Sequence, residues 1–554
     1  MSNKFSRLFF IFLGILFVLN LIQGSVTELL YDEAYYWYYA QDLSWGYFDH
    51  PPMVAFLIWL SSLVFDGEMG VRFMSCVLGI GTVSILWLLI EDPKKKQYIP
   101  HFFLLLFSMT LFNAYGFLTL PDTPLLFFTA LFLLVYKRFI SNPTWPKALV
   151  LGLVMACLMY SKYHAVLVIL FTLLSNISLL KNKYAWVAVL CSLACYSPHF
   201  LWLYQNDFVS LEYHISERPN QPYSFSGFTL GYLLNLLVNF GLLFPWFYYA
   251  LFTAKPKDKF TKALVYVTFG VILFFFLSTF HRRSQAQWVI VICIPMAILA
   301  YQLLLDNAKA RKWMFGLSIA SLVLLCYARA WLVYQPLLPK IFETHGTENW
   351  VHTLNRKVEN VPVVFENSYR TSSMYHFYSG EPSFSLNNIF YRRNQYSIDA
   401  SEAKIQGKRI AYVTKYADSG DFYFYYPDGT KMFVKYKDNF KSYRRLKGFF
   451  DQNQVKRNKA PQLLKVYNPY AEKIPLDQLV FRLAFLNAYK QIQETQTITI
   501  QPVEENTLVL KPRDTTEFSF RLPAHKTKKP QFVKFSISEF GLPTGINSPS
   551  IPLD

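Results

Sequence analysis

A polytopic α-helical membrane half followed by an α/β domain and a terminal β-rich portion is the fold class this sequence predicts, on three observations. Of its 554 residues 53% are hydrophobic and 16% charged, too apolar a balance for a soluble chain of this length. The apolar residues fall in repeated runs up to about residue 334, beyond which no run is long enough to cross ~30 Å of hydrocarbon. Lys and Arg crowd into every second loop between the runs, as the two faces of a membrane require.

Eleven runs have the length and composition of spans: Leu8–Gly24, Gly70–Ile90, Pro100–Leu118, Pro124–Ile140, Leu149–Tyr160 with its flanks, Ala165–Leu180, Tyr184–Tyr204, Phe228–Phe252, Ala263–Phe280, Trp288–Leu305 and Trp313–Tyr334. Met53–Phe65 has 13 residues between Pro51-Pro52 and Asp66-Gly67, short for a span, and is expected to lie at the interface or to re-enter. With the N-terminus inside, the inner loops hold Lys4, Arg7, Lys94 to Lys96, Lys137, Arg138, Lys147, Lys181, Lys183, Lys255, Lys257, Lys259, Lys262, Lys309, Arg311 and Lys312. The outer ends hold only Arg72, Lys162, Arg218, Arg282 and Arg283. That bias assigns the acidic stretch after the first run, and everything beyond residue 334, to the extracytoplasmic face of an inner (plasma) membrane. The first run is expected to persist as an anchor, because more spans follow it and no convincing cleavage site does.

All six cysteines fall inside the runs, so no disulfide is expected in the soluble half. Inner loops and a Lys-rich tail account for the net charge of +18, and nothing calls for nucleic acid as a partner. Three domains are expected: 1–334 transmembrane, 335–490 α/β, and 491–554 β-rich and sandwich-like. In the second, "NWVHTLNRKV" has helical spacing, "VPVVFEN" and "GKRIAYVTKY" read as strands, and "SYRTSSMYHFYSG" is a helix closing on Gly380. From Gln491, "TQTITIQPVEENTLVLKP" and "TEFSFRLP" alternate as strands do.

The outer face collects the chemistry. "YDEAYYWYYAQDLSWGYFDHPP", residues 31–52, holds Asp32, Glu33, Asp42, Asp49 and His50 among nine aromatic rings. Asp122 lies in "LPDTP", Lys162, Tyr163 and His164 in "SKYH", His214, Glu217 and Arg218 in "SLEYHISERPN", and Arg282 and Arg283 in "HRRSQAQW". Each has a plain alternative: an acid at a helix end is a cap, arginines snorkel to lipid phosphate, and a Tyr/Trp run is an interfacial belt. Together, acids and fixed cations at a lipid headgroup suit transfer of a sugar from a polyprenyl phosphate: a carboxylate takes a proton from an acceptor hydroxyl while cations stabilise the departing phosphate. A nucleotide-sugar site is not evident, since the chain has no Asp-x-Asp motif and no P-loop.

The motifs "YDEAYYWYYAQDLSWGYFDHPPMVA", "LPDTPLLFF", "YSKYHAVL", "PHFLWLYQNDFVSLEYHISER" and "RRSQAQW", in that order over about residues 5–335, resemble the bacterial branch of the C-type (GT-C) glycosyltransferases. That family holds the protein O-mannosyltransferases and the lipid A aminoarabinose transferases, and the likeness continues weakly through "NSYRTSSMYHFYSGEPSFSLNNIFYRRNQY". The resemblance implies an inverting enzyme with Asp32 as catalytic base, Glu33 beside it, and Asp122 as the second acid. It implies Lys162 and Arg218 near the donor phosphate, where His50, Arg282 and Arg283 are further candidate contacts. Tyr35, Tyr36, Asp49, Tyr163 and His164 are candidate substrate contacts. Asp49-His50 departs from the Glu-Lys-Pro of the aminoarabinose transferases, which leaves open whether His50 binds phosphate as a cation or, with Asp49, His214 and Glu217, ligates a divalent metal ion; no cofactor is otherwise implied. The expected partners are a polyprenyl-phosphate sugar, an extracytoplasmic acceptor (protein, glycan or lipid A) and the bilayer. A transporter or flippase of lipid-linked sugars is the alternative from another class, but it would place charges near the midplane rather than at one face. A lipid-linked glycan polymerase or ligase is the alternative enzyme.

Overall fold

The structure is a computed structural model and describes residues 5–359, 361–450, 461–526 and 529–553; Lys4 lies outside them. The chain divides into two compact units. Residues 1–207 and 223–346 form the first, and residues 208–222 and 347–554 the second.

The first unit is helical. Its long apolar helices are α1 (Arg7–Val26), α4 (Gly67–Leu89), α7 (Asp122–Ser141), α10 (Lys183–Gln205), α14 (Lys259–Ser278), α15 (Cys293–Asp306, entered by a tight turn from Ala286) and α16 (Ala308–Val333). Shorter helices are α2 (Tyr31–Ala40), α3 (Met53–Ser62), α5 (Ile99–Phe107), α6 (Thr110–Ala114), α8 (Trp145–Ser161), α9 (Ala165–Ser175), α12 (Gly231–Val238) and α13 (Phe244–Thr253). Among the described residues seven helices, or eight counting one bent pair, are by themselves long and apolar enough to cross a membrane, where eleven runs were expected to. The other expected runs are broken or short. Pro100–Leu118 splits at Ser108 between α5 and α6, and α8 and α9 stop below full span length. Phe228–Phe252 bends by 100° between Phe225–Val238 and Gly241–Thr253. Gly241 permits that bend: its φ is +55°, and a Cβ there would stand 2.9 Å from the Ser108 carbonyl oxygen. Met53–Phe65 forms only the ten-residue α3, short of a span as its length implies. Aromatic packing fills the interior, with Phe9 against Trp87 and Trp87 against Phe102 at 4.9 and 5.2 Å.

In the second unit, α11 (Val209–Glu212) is a single turn, and α17 (Thr347–Val358) and α18 (Tyr369–Ser379) accompany the first sheet. That sheet comprises β1 (Val363–Glu366), β2 (Ser383–Leu386), β3 (Ile410–Thr414), β4 (Phe422–Tyr425) and β5 (Lys431–Lys437), in the order β2-β1-β3-β5-β4. Its first three strands are parallel, and α18 ends on Gly380 at φ +75°. The β-rich portion begins earlier than residue 491. β6 (Lys447–Phe450), β7 (Gln462–Tyr467) and β9 (Leu479–Leu486) already belong to it, with β8 (Ile474–Pro475) between them. They join β10 (Ile492–Thr497), β11 (Ile500–Pro502), β12 (Val509–Leu510), β13 (Thr515–Phe520), β14 (Phe532–Glu539) and β15 (Ile551–Pro552). Two four-stranded sheets, β10-β9-β14-β15 and β11-β13-β7-β6, share one core, in which Phe481 meets Phe518 and Phe535. The alternation after residue 490 marked only half of the sandwich, because β9 is buried over its second half, Leu483 to Leu486, and reads there as a hydrophobic run.

The other boundary also moves. Residues 335–346 pack in the first unit, where His345 bonds the Trp331 carbonyl oxygen at 2.7 Å and Thr344 donates to the Leu332 oxygen.

Candidate functional site

The first unit builds its site from the segment after α1. Glu33, on the first turn of α2, is fully buried and accepts four bonds. Arg72 of α4 donates to it through Nε at 2.8 Å and through a second guanidinium nitrogen, and the backbone N–H groups of Leu30 and Thr119 donate at 3.0 and 2.8 Å. The same guanidinium donates to the carbonyl oxygens of Gly24, Thr27 and Glu28, closing the C-terminal end of α1. Glu33 is therefore no catalytic group. All its lone pairs face the protein, and it fixes α2 to α1, α4 and the strand of chain before α7. The partner was missed: Arg72 counts in the sequence only as one of the few outer-end cations, yet it is 0% exposed. The sequence signal is an arginine five residues inside an apolar helix that also carries Gly70 and Ser75.

Asp32 is half-buried on the same helix, turned about 100° from Glu33 by helical geometry. Tyr115, after α6, lies within electrostatic reach of both Asp32 and Asp122. Asp122 opens α7 and is paired with Lys162, at the end of α8, at 2.7 Å. Lys162 is thus committed first to a carboxylate.

The aromatic run folds back on itself. Tyr35 and Tyr39 donate their hydroxyls to Asp49 at 3.0 and 3.3 Å, Tyr39 stacks on Tyr47 at 4.3 Å, and Tyr36 meets His50 edge-on at 5.6 Å. Burial, with Tyr35 and Asp49 beside it, raises the Tyr39 hydroxyl well above its ordinary pKa, so it stays a donor. Tyr35 and Tyr36 are buried, which corrects their expected role: they carry Asp49 and His50 instead of lining open space. Tyr163 bonds His199 of α10 at 3.2 Å, and the other His199 nitrogen bonds the Trp45 carbonyl oxygen at 2.7 Å. His199 escaped notice because it lies inside an apolar run. Gly46 passes so close to Trp202 that a Cβ would sit 2.4 Å from its ring, and beside it Trp45, Leu201 and Trp202 line a cleft of about 530 Å³. His164 stands at the N-cap position of α9 and packs edge-on against Phe275. Arg282 is half-buried and Arg283 exposed in the turn after α14.

The four expected metal ligands do not form a set. Among the described residues no group of three or more His, Cys, Asp or Glu side chains is arranged to hold an ion. Glu217 is engaged elsewhere in the second unit: Lys534 at 2.7 Å, Lys490 at 3.4 Å, and the Ser550 N–H and hydroxyl at 3.0 Å each. Burial alone would raise its pKa, but Lys534 and these donors hold it down to about 2. Glu217 therefore anchors residues 208–222 to the sandwich, helped by Asn220 N–H on the Tyr489 oxygen at 2.9 Å. His214 and Arg218 ride on the same anchored segment, half-buried.

Residues 49–202 match the model of the dolichyl-phosphate-mannose-protein mannosyltransferase family. The chain is 24% identical over 317 residues to the lipid A galacturonosyltransferase RgtD of Rhizobium johnstonii, an alignment covering 54% of this chain and 64% of the relative's length. In fold it resembles ArnT from Cupriavidus metallidurans. The apo structure covers 73% of this chain and 92% of that one, and the structure bound to undecaprenyl phosphate 78% and 98%, both at TM-score 0.54 and 14% identity. The matched stretch runs from Asp49 through Asp122 and Lys162 to Trp202, the part of the first unit that holds the Asp122–Lys162 pair, so this part of the chain is similar to the protein mannosyltransferases, and the fold of the chain is that of ArnT.

Proposed function

We propose that this protein is an inverting glycosyltransferase that moves a sugar from a polyprenyl-phosphate donor to an acceptor outside the cytoplasm. One observation carries the reading: Asp122 and Lys162 pair at 2.7 Å at the ends of α7 and α8, and Asp32 stands half-buried on the short helix that the Glu33–Arg72 lock holds in place. The acceptor hydroxyl gives its proton to Asp32 as its oxygen attacks the anomeric carbon. The bond from that carbon to the phosphate oxygen breaks, its electron pair leaves with the polyprenyl phosphate, and a β-linked donor gives an α-product. Lys162, shared with Asp122, is a fixed charge for the growing phosphate anion, with His50, Arg282 and Arg283 as further candidates in the first unit. A hydroxyl on lipid A is the acceptor class favoured by the alignment with a lipid A glycosyltransferase. Purified protein in nanodiscs with undecaprenyl-phosphate-linked sugars and lipid A is expected to yield glycosylated lipid A by mass spectrometry. Absence of transfer to lipid A, peptide and glycan acceptors alike would reject the reading.

The same proposal sets the second unit outside the cytoplasm, at an inner membrane, on the strength of the Lys and Arg bias between the eleven apolar runs, with the short and broken ones counted as crossings. A reporter active only in the cytoplasm, fused after the last residue, should stay silent. Activity there would reverse the orientation.

A further inference from the structure

Arg329, one turn before the end of α16, is 8% exposed and has no carboxylate partner among the described residues. Its guanidinium donates to Asn113 Oδ1 at 2.9 Å, to the Asn113 carbonyl oxygen at 3.1 Å and to Asn20 Oδ1 at 2.9 Å. It also lies over the rings of Phe117 and Phe107 at 4.7 and 5.3 Å. The ionisable groups that act on it are the thiols of Cys76 and Cys326. The buried acids of the unit are committed elsewhere, Glu33 to Arg72 at 2.8 Å and Asp122 to Lys162 at 2.7 Å. An arginine does not give up its proton, so the interior here holds a full positive charge against neutral acceptors and ring faces alone. A buried charge is costly unless a charge of opposite sign stands beside it.

Next to this cation lies a cavity of about 30 Å³, walled in part by Asn20, Asn113, Tyr115, Arg329 and two glycines, Gly79 and Gly116. The glycines set its size. A Cβ on Gly116 would stand 2.9 Å from Asn20 Nδ2, and one on Gly79 would stand 3.2 Å from the Gly116 carbonyl oxygen. Among the described residues, three donors on these wall residues make no hydrogen bond: Arg329 Nη1, Asn20 Nδ2 and the Tyr115 hydroxyl. The side-chain oxygens of Asn20 and Asn113 are already taken by the guanidinium, so these walls present donors around a positive centre. Water would meet the donors and leave the charge unbalanced. The volume admits one or two water-sized groups, which fits a single small anion and excludes a sugar or a lipid headgroup.

We propose that Arg329, Asn20 and Tyr115 bind a monovalent inorganic anion of chloride size. The anion neutralises the cation that ties α1, through Asn20, and α6, through Asn113, to α16, where Gln23 Nε2 of α1 also donates to the Arg329 carbonyl oxygen at 3.1 Å. The site is independent of the proposed sugar transfer, and its test reads no turnover. Full-length protein in nanodiscs is melted in chloride and in gluconate, an anion too large for the cavity, at equal ionic strength. Chloride is expected to raise the melting temperature saturably, by on the order of 2 °C, as a ligand of the folded state does. Arg329→Met should lose the difference between the two salts. Because that variant also gives up the bonds to Asn20 and Asn113, the parent protein is crystallised in bromide as well, where an anomalous peak in contact with Arg329 Nη1 is expected. Equal melting in both salts, or a chloride effect of the same size in Arg329→Met, would overturn the site, and so would bromide crystals with no peak beside Arg329.

Discussion

Asp32→Asn should leave a folded membrane protein that still retains polyprenyl-phosphate sugar but turns over ~10²–10⁴-fold more slowly, the usual contribution of a positioned general base. Asp32 is the acid that the family likeness implies as base, and the other outer acids have parts in the fold. Glu33 has four donors on it, Asp49 is held by Tyr35 and Tyr39, and Asp122 is paired with Lys162 at 2.7 Å. Asp32 is half-buried on a helix whose rotation the Glu33–Arg72 lock fixes. Asp42→Asn is the control, because Asp42 is exposed on the loop after α2 and contributes its backbone oxygen, not its carboxylate, to Tyr47. Single-turnover kinetics with donor-loaded nanodiscs separate the two variants. Normal turnover of Asp32→Asn with a hydroxyl acceptor would remove Asp32 as the base. A mild loss with a phosphate acceptor, already ionised, would make it a group that orients the nucleophile.

Arg72→Met should be the most destabilising single change in the first unit. It strips Glu33 of its only cation among the described residues and leaves a buried carboxylate with two backbone donors, while the carbonyl oxygens of Gly24, Thr27 and Glu28 lose theirs. Breaking a buried pair from one side costs about 3–5 kcal/mol, since the surviving charge stays out of water. The expected readout is a large fall in melting temperature in detergent. Glu33→Gln, which keeps an acceptor for Arg72 and for one N–H, should fall less, and the double change Glu33→Leu with Arg72→Met should recover part of the loss. If Arg72→Met melts with the parent protein, the pair is not the lock described.

The acids and cations of the site were all legible as residue types at helix ends, but their roles were not. Adjacent Asp32 and Glu33 look alike in a sequence. Only Arg72, 39 positions on, and the Thr119 N–H, 86 positions on, make one of them structural. Glu217 likewise reads as an outer-loop ligand until Lys534, 317 positions away, claims it. His199 and Tyr115 carried no local mark at all, since each sits in an apolar stretch.

By itself the sequence determined the apolar helices, the β1, α18 and β3 elements of the second unit, and the clustering of charge at one set of helix ends. Periodicity, turn residues and run length are local properties, and the backbone must satisfy its hydrogen bonds within such elements whatever surrounds them. Tertiary structure alone decided that two apolar runs break, that the sandwich starts at Lys447, and which carboxylate is spent on the fold. Those outcomes depend on desolvation and on ion pairs between groups far apart in the chain, and a charge's cost or use is fixed only once its neighbours are in place.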